Sequence, residues 1–418
     1  MSRPRHVSLI ALLAVCVAVA GCTSQRGGGS AGTTEGGGRG AAGPGRTLSG
    51  PPVPLGLVTM ENAPVGSFPE SRTGALAVVD YANQALGGVD GRPIELRTCA
   101  TNGSPESSQD CANTLIGERP VAVVGGVDVT AGAALPLYDR AGIPYVGGSP
   151  QLTEELSAPD SFMLTGGTTT DLLGQVEYLT GTRKAKSVHA LYVDLPGLLS
   201  AAVDNAGQIL RKRGVTNVRL VAEKADAADF APALTRVAAG DPDAIVVVFP
   251  AQACARILQA AAVLRLRAPM FYLGACATPG VTTAAGGALG NAYFTSGYLP
   301  ASGDAAGGDA DTQAYRARVP ESARSPLSQA SFGAVLVVRA LLAATSAAPT
   351  PGGLRAALRA TRDHPSPMAH PFTCDRRQLK LFPAVCNTAV RLLQWRGGRF
   401  VDAAGTWLDG RELTGLVG

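Results

Sequence analysis

Six cysteines, Cys99, Cys111, Cys254, Cys276, Cys374 and Cys386, are the residues of this chain best suited to covalent chemistry. In an oxidising compartment an even set reads as three disulfides, and no CxxC or HxxxH spacing accompanies them to suggest a metal site. Six cysteines allow fifteen connectivities. The sequential pairing Cys99–Cys111, Cys254–Cys276 and Cys374–Cys386 is favoured, because each bridge closes a short loop inside one predicted unit. Closing a loop of ~15 residues contributes roughly 3 kcal/mol in the chain-entropy model. Other reactive constellations are weak. His6 lies near the N-terminus, His189 inside a predicted strand, and His364 and His370 in a Pro-rich passage suited to turns. No G-x-S-x-G elbow joins a strand to a helix, no G-x-G-x-x-G follows the first strand, and no G-x-x-x-x-G-K-[ST] occurs. Gly27–Gly29 and Gly36–Gly38 read as linker glycines. No enzyme, cofactor or metal site is expected.

Composition narrows the partners. A chain of 418 residues suggests about two to three domains of roughly 100–200 residues each. Its 46% hydrophobic content suits sizeable cores. A net charge of only +4 offers no basic stripe, and 5% aromatic residues supply few stacking platforms, so no nucleic-acid partner is expected.

Arg3 and Arg5 precede an apolar run from Val7 to Ala20, closed by Val19-Ala20-Gly21-Cys22. A run of that length spans only about 21 Å as a helix, short of the ~30 Å hydrocarbon core, so it reads as a leader and not as a membrane span. Small residues directly before a cysteine resemble the bacterial lipoprotein signal. That resemblance implies a lipoprotein signal at residues 1–22 ending in the lipobox Cys22, whose thiol becomes lipidated as the mature N-terminus and anchors the chain to the cell membrane from outside. Residues 23–52, dominated by Gly, Ser, Thr and Ala, read as a flexible tether.

From Val53 short β-branched runs alternate with helical segments, the signature of a mostly parallel sheet. Strands are predicted at 53–60, 93–99, 121–126 and 143–147, with helices at about 70–86, 105–117 and 131–140. The pattern restarts with strands at 187–194, 218–223, 244–249, 270–274 and 292–296, interleaved with helices at 197–213, 228–239 and 252–266. A loop at 301–311, helices at about 327–348 and 352–360, and β-like pieces in the tail complete the chain. Two doubly wound α/β lobes joined by a hinge make a cleft, and ligands bind at the carboxyl ends of such strands.

The order of these segments resembles the branched-chain amino acid substrate-binding proteins of ABC importers, over Val53 to about Val401. The residues carrying the resemblance are Leu57-Val58-Thr59-Met60, Ala85 to Leu96 (ALGGVDGRPIEL), Val123 to Gly148 and Pro150-Gln151-Leu152-Thr153. It implies a type I periplasmic-binding fold with lobe 1 at 53–166 plus 299–366 and lobe 2 at 167–298 plus 367–418. The hinge crossings would fall near Thr165–Gly167, Gly297–Pro300 and Met368–Phe372. It further implies a monomer that binds a small molecule and docks on permease subunits. A ligand sensor or surface interaction protein of the same fold is the alternative.

Carried over residue by residue, the family's ligand positions fall on Asp128 and Thr130 after the third strand, and on Gly148 and Ser149 after the fourth. Met60, Glu61 and Asn62 follow the first strand. The second lobe departs from the family. Pro196 and Pro250 stand where tyrosines are usual, and Cys276 stands where amino-acid binders place an acid. Gln252 is then the hydrogen-bonding candidate on that wall. A buried ammonium without a counter-charge costs several kcal/mol. The expected ligand is therefore a small amide, a polyol or another carboxylate-poor metabolite, and an ordinary α-amino acid fits only if Asp128 or Glu61 supplies the missing charge.

Overall fold

A computed structural model describes residues 48–61, 63, 66–193, 199–300, 309–345 and 348–416. The expected leader, Cys22 and almost all of the tether lie outside the described residues, as do Asn62 and Pro196.

The first sheet is parallel throughout. It contains β1 (Val53–Met60), β2 (Ile94–Thr101), β3 (Ala122–Gly125), β4 (Tyr145–Val146) and β5 (Ser161–Phe162), in the order β2-β1-β3-β4-β5. The helices between them are α1 (Pro69–Ala85), α2 (Pro105–Gly117), α3 (Leu135–Ala141) and α4 (Thr153–Ser157). Local chemistry starts and stops them. Pro69 and Pro105 occupy first-turn positions that need no backbone donor, and Ser104 caps α2 by accepting from the Ser107 amide at 3.2 Å. Gly142, in the left-handed region, closes α3.

After α5 (Gly167–Glu177) the second sheet repeats the scheme. Strands β6 (Ser187–Val193), β7 (Asn217–Glu223), β8 (Ala244–Val248), β9 (Met270–Tyr272) and β10 (Ala292–Ser296) run in parallel, in the order β7-β6-β8-β9-β10. Antiparallel β11 (Ala389–Arg396) and β12 (Arg399–Asp402) extend that edge, and β13 (Leu408–Asp409) pairs with β11. Helices α6 (Ser200–Lys212), α7 (Ala231–Ala238), α8 (Ala251–Val263) and α9 (Pro279–Ala285) connect this lobe. The β8 run Ala-Ile-Val-Val-Val is buried at every position, as a strand covered on both faces must be.

Between β10 and β11 the chain returns to the first lobe. It lays down α10 (Ala310–Arg318), α11 (Pro326–Ala343) and α12 (Pro351–Ala360). The α1 and α11 helices pack closely: a Cβ on Gly74 would stand 2.3 Å from the Ser328 carbonyl oxygen, and Tyr81 stacks on Phe332 at 6.4 Å. Helix α11 is long and apolar enough to cross a membrane, yet most of it is buried in the core shared by β1, β3 and α1. The other face of the first sheet joins the second lobe's core through Leu156, Met163, Leu379 and Val385.

Chain crossings tie the lobes together. The first passes through Met163–Gly166, where the Met163 amide donates to Ala384 and the Cys386 amide to Met163. The second follows β10, with the Leu299 amide donating to Met368. The third extends beyond Met368–Phe372, since Phe372, Cys374 and Cys386 still pack with the first lobe's core before β11 begins. All three favoured disulfides are present, with Cα–Cα distances of 5.6, 5.9 and 4.4 Å. Sequence patterning had not indicated α4, β5, α5, α9 or α10. Two-residue strands such as β5 carry no readable alternation, and Gly167-Thr168-Thr169-Thr170 is a poor helix opening by propensity.

Candidate ligand-binding site

In both sheets the connection direction reverses between the first strand and the third. The loops leaving those neighbouring strands diverge to opposite faces and leave a crevice at the carboxyl ends. The two crevices face each other across a cavity of about 1120 Å³, measured out to its open mouth. The first lobe contributes Phe68 beyond β1, Val127 and Val129 beyond β3, and Ser149 and Gln151 beyond β4. The second contributes Leu199 beyond β6, Phe249 to Ala251 beyond β8, and Leu273 to Ala275 beyond β9. Thr165 and Ser296 to Tyr298 come from the crossings, Thr168, Thr170 and Asp171 from the start of α5, and Leu327 from the start of α11.

The residues anticipated from sequence divide into those at this cavity and those beside it. Ser149 lines it, its hydroxyl 3.4 Å from the Gln151 amide nitrogen. Gly148 shapes the turn beneath. Its φ is +81°, and a Cβ there would lie 2.8 Å from the Gly125 carbonyl, so only glycine lets the β3 and β4 turns approach this closely. Asp128 and Thr130 turn their side chains away from the cavity. Asp128 accepts from Ser108 at 2.7 Å and from the Thr130 amide at 3.0 Å, in a buried knot that secures the β3 turn against the start of α2. Gln252 lies one residue beyond the lining residue Ala251, its amide nitrogen 2.5 Å from where a Cβ on Gly66 of the opposite lobe would stand. Glu61 pairs with Arg72 at 2.8 Å, and Met60 lies beneath Phe68. Pro250 does line the wall. Cys276 is bridged to Cys254, which ties the β9 turn to α8 directly behind Ala251 and Ala275. His189 is buried, with Nδ1 2.6 Å from the Val237 carbonyl oxygen.

The acid on the second lobe's wall is Asp171, a residue sequence reasoning passed over because α5 itself was not anticipated. One carboxylate oxygen accepts from the Gly274 amide at 3.0 Å. Burial pushes its pKa up to about 6, opposed by that amide and by the Thr295 hydroxyl. Gly274 is required here, since a Cβ would meet the Thr295 carbonyl oxygen at 2.6 Å. On the opposite wall buried Glu155 accepts from the amides of Gln151 (2.7 Å) and Leu152 (3.0 Å) and so organises the turn that carries Gln151 to the cavity. Its pKa is pushed up to about 8, chiefly by burial. Among the described residues no Lys, Arg or His lines the cavity.

A model of the family described as periplasmic binding protein matches residues 52–399. The chain belongs to that family. Membership implies an extracytoplasmic solute-binding protein, in agreement with the resemblance drawn from the sequence. No curated protein sequence is significantly similar to the chain. Among solved structures, a fatty acid ABC transporter substrate-binding protein from Thermomonospora curvata superposes with a TM-score of 0.72 at 16% identity, covering 90% of this chain and 96% of that one. A solute-binding protein of an ABC transporter from R. palustris, in complex with 4-hydroxybenzoate, gives 0.70 at 17%, covering 88% and 99%. The branched-chain amino acid transporter substrate-binding protein LivJ from Streptococcus pneumoniae, in complex with isoleucine, gives 0.67 at 19%, covering 83% and 97%. At these identities the likeness establishes the shared two-lobed fold.

Proposed function

We propose that this protein captures a small molecule between its lobes and delivers it to an ABC importer, while lipid on Cys22 holds it at the outer face of the cell membrane. It works as a monomer without catalysis. The lobes close about three crossings, with lobe 1 formed by about 53–166 plus 299–366 and lobe 2 by about 167–298 plus the tail from β11 onward, the stretch from 367 to 386 serving as the third crossing. The observation that carries this reading is the apolar-walled cavity between the carboxyl ends of two sheets of the same strand order. Ser149, Gln151, Asp171 and Ser296 supply its polar contacts. Gly148 shapes the first-lobe wall, and Asp128 and Thr130 hold the turn behind it. Gln252 closes the lip against the loop containing Gly66, and Asn62, outside the described residues, is the further candidate from the first lobe. The Ala251–Ala275 wall owes its stiffness to the Cys254–Cys276 bridge. The lipobox supports membrane anchoring, and the Gly/Ser-rich stretch that follows it suits a tether between the anchor and the lobes.

Differential scanning fluorimetry of the protein against a metabolite library tests the reading. A binder at 100 times its dissociation constant adds roughly 2.7 kcal/mol of stability and raises the melting temperature visibly. A library without any stabilising compound would overturn solute capture. Metabolic labelling with palmitate, lost in Cys22→Ser, tests the anchor.

A further inference from the structure

We infer that the end of the first lobe farthest from the cleft is a membrane-facing surface, whose arginine cluster lies on anionic lipid headgroups and so turns the second lobe outward. The inference rests on the lipid anchor proposed at Cys22.

Topology fixes which end of the lobe this is. The first sheet is parallel, so the amino ends of its strands form one rim, and the cleft lies beyond their carboxyl ends. Strand β1 has 8 residues, which sets the rim about 26 Å from the cleft at ~3.3 Å per residue. The chain arrives from Cys22 at this same rim. Just before β1 the Ser49 amide donates to the Gly91 carbonyl at 3.0 Å, and Arg92 donates to the Pro51 carbonyl at 2.7 Å. A Gly-rich segment as long as 23–52 has a root-mean-square reach of about 30 Å as a coil. Lipid on Cys22 therefore keeps the rim near the headgroups, at an effective concentration on the order of millimolar.

Charge then selects one side of the rim. Strand β5 lies three strand spacings from β1, about 14 Å at ~4.8 Å each. Immediately before it, Asp160 pairs with Arg355 at 3.3 Å and with Arg359 at 3.1 Å, both from α12. Arg355 also donates to the Gly142 carbonyl ahead of β4, and Arg376 donates to the carbonyls of Ser157, Ala158 and Pro159. Arg140, Arg362 and Arg377 flank this cluster in the chain and are exposed. Against these six arginines, the same segments carry the four aspartates Asp139, Asp160, Asp363 and Asp375. The carbonyl contacts hold the guanidinium groups at the surface without neutralising them. Arg376 registers the crowding: its pKa is lowered by burial and then by Arg359, against Asp160 and Asp139. Toward β2 the charges balance, with Arg92, Arg97 and Arg119 against Asp90, Glu95 and Glu118.

The side chains suit phosphate in particular. The planar fork of arginine gives a phosphate two parallel hydrogen bonds, which the ammonium of lysine cannot do. Each basic residue beside an anionic bilayer strengthens binding about fivefold, so an excess of two gives roughly 30-fold. That is weak for a free protein. It is enough to set the orientation of one whose anchor already supplies proximity.

The test uses the full lipidated chain on vesicles of phosphatidylcholine, alone or with about 30% phosphatidylglycerol. Hydrogen exchange read by mass spectrometry compares segments 137–143 and 353–380 with α7 of the second lobe. At about 50 mM salt the two first-lobe segments are expected to exchange at least about threefold more slowly on the anionic vesicles, with α7 unchanged. The difference is expected to vanish at about 500 mM salt, where screening acts within about 5 Å. Combining Arg140→Glu with Arg377→Glu is expected to remove it at low salt as well. Thermal unfolding of that variant should match the wild type, since both side chains are exposed. Equal exchange on the two vesicle types, slowing of α7 instead, or slowing that survives high salt would overturn the inference. Each of these leaves the anchor standing if the chain floats with neutral vesicles in a density gradient. A chain that does not float has no lipid anchor, and both readings fall.

Discussion

The Asp171→Asn substitution separates what the cavity carboxylate does for binding from what it does to stability. In the unfolded chain the group titrates near 3.8, and in the folded protein near 6. Below the lower value both states are protonated and the group is neutral to folding. Between the two values the folded state holds a proton that the unfolded state has lost, so stability falls as pH rises through this window. Above about 6 the loss is complete. A gap of about two units at 1.36 kcal/mol per unit gives about 3 kcal/mol. Asparagine keeps an acceptor for the Gly274 amide and removes the charge. The variant is therefore expected to match the wild type near pH 4 and to exceed it by up to about 3 kcal/mol at pH 7.5. Urea unfolding followed by tryptophan fluorescence reads the right lobe, because both tryptophans of the chain, Trp395 and Trp407, lie in the second-lobe tail beside β11 and β13. Equal gaps at the two pH values, or a variant less stable at pH 7.5, would refute the account of Asp171 as a carboxylate held at a cost for binding.

Glu155→Gln is expected to act with the same sign over a wider window. Glu155 costs the wild type on the order of 5 kcal/mol as pH rises from about 4.5 to 8, and the variant's denaturation midpoint is expected to stay flat above about pH 6, where Asp171 no longer contributes a slope. Replacing Cys374 and Cys386 by serine opens a loop of sequence separation 12 and is expected to lower stability by about 3 kcal/mol, measured by scanning calorimetry of the non-reduced proteins. Gly148→Ala forces a side chain onto a left-handed backbone 2.8 Å from the Gly125 carbonyl. It is expected to cost about 2 kcal/mol or more in thermal unfolding and to weaken whatever ligand the library screen finds.

Regular elements were legible wherever local rules and tertiary packing agree. The β-branched run of β8 reads as a buried strand because both of its faces are covered. Pro326 and Pro351 mark the starts of α11 and α12 because their ring geometry suits a first helical turn, and Ser325 and Thr350 cap them. The disulfide pairing was legible because short loops favour sequential closure. Positions in the site were less so. Asp128 follows β3 as anticipated, but a turn residue with a short acceptor finds the nearest donors first, here Ser108 and the Thr130 amide. Gln252 faces the opposite lobe's loop for a related reason: the first turn of α8 points at the cleft's lip, not its floor.

By itself the amino-acid order indicated two α/β lobes, most of their strand succession, a favoured pairing of the six cysteines and the resemblance to the family, since the strands and loops that carry these are patterns within some tens of residues. Only the folded chain decided the chemistry of the cavity. Asp171 and Gly274 are 103 positions apart, and their hydrogen bond forms because α5 crosses the end of β9. The charge character of the lining is a sum over strand ends drawn from both sheets. Periodicity within a segment reports which face a side chain takes, but not which distant side chains will meet it there.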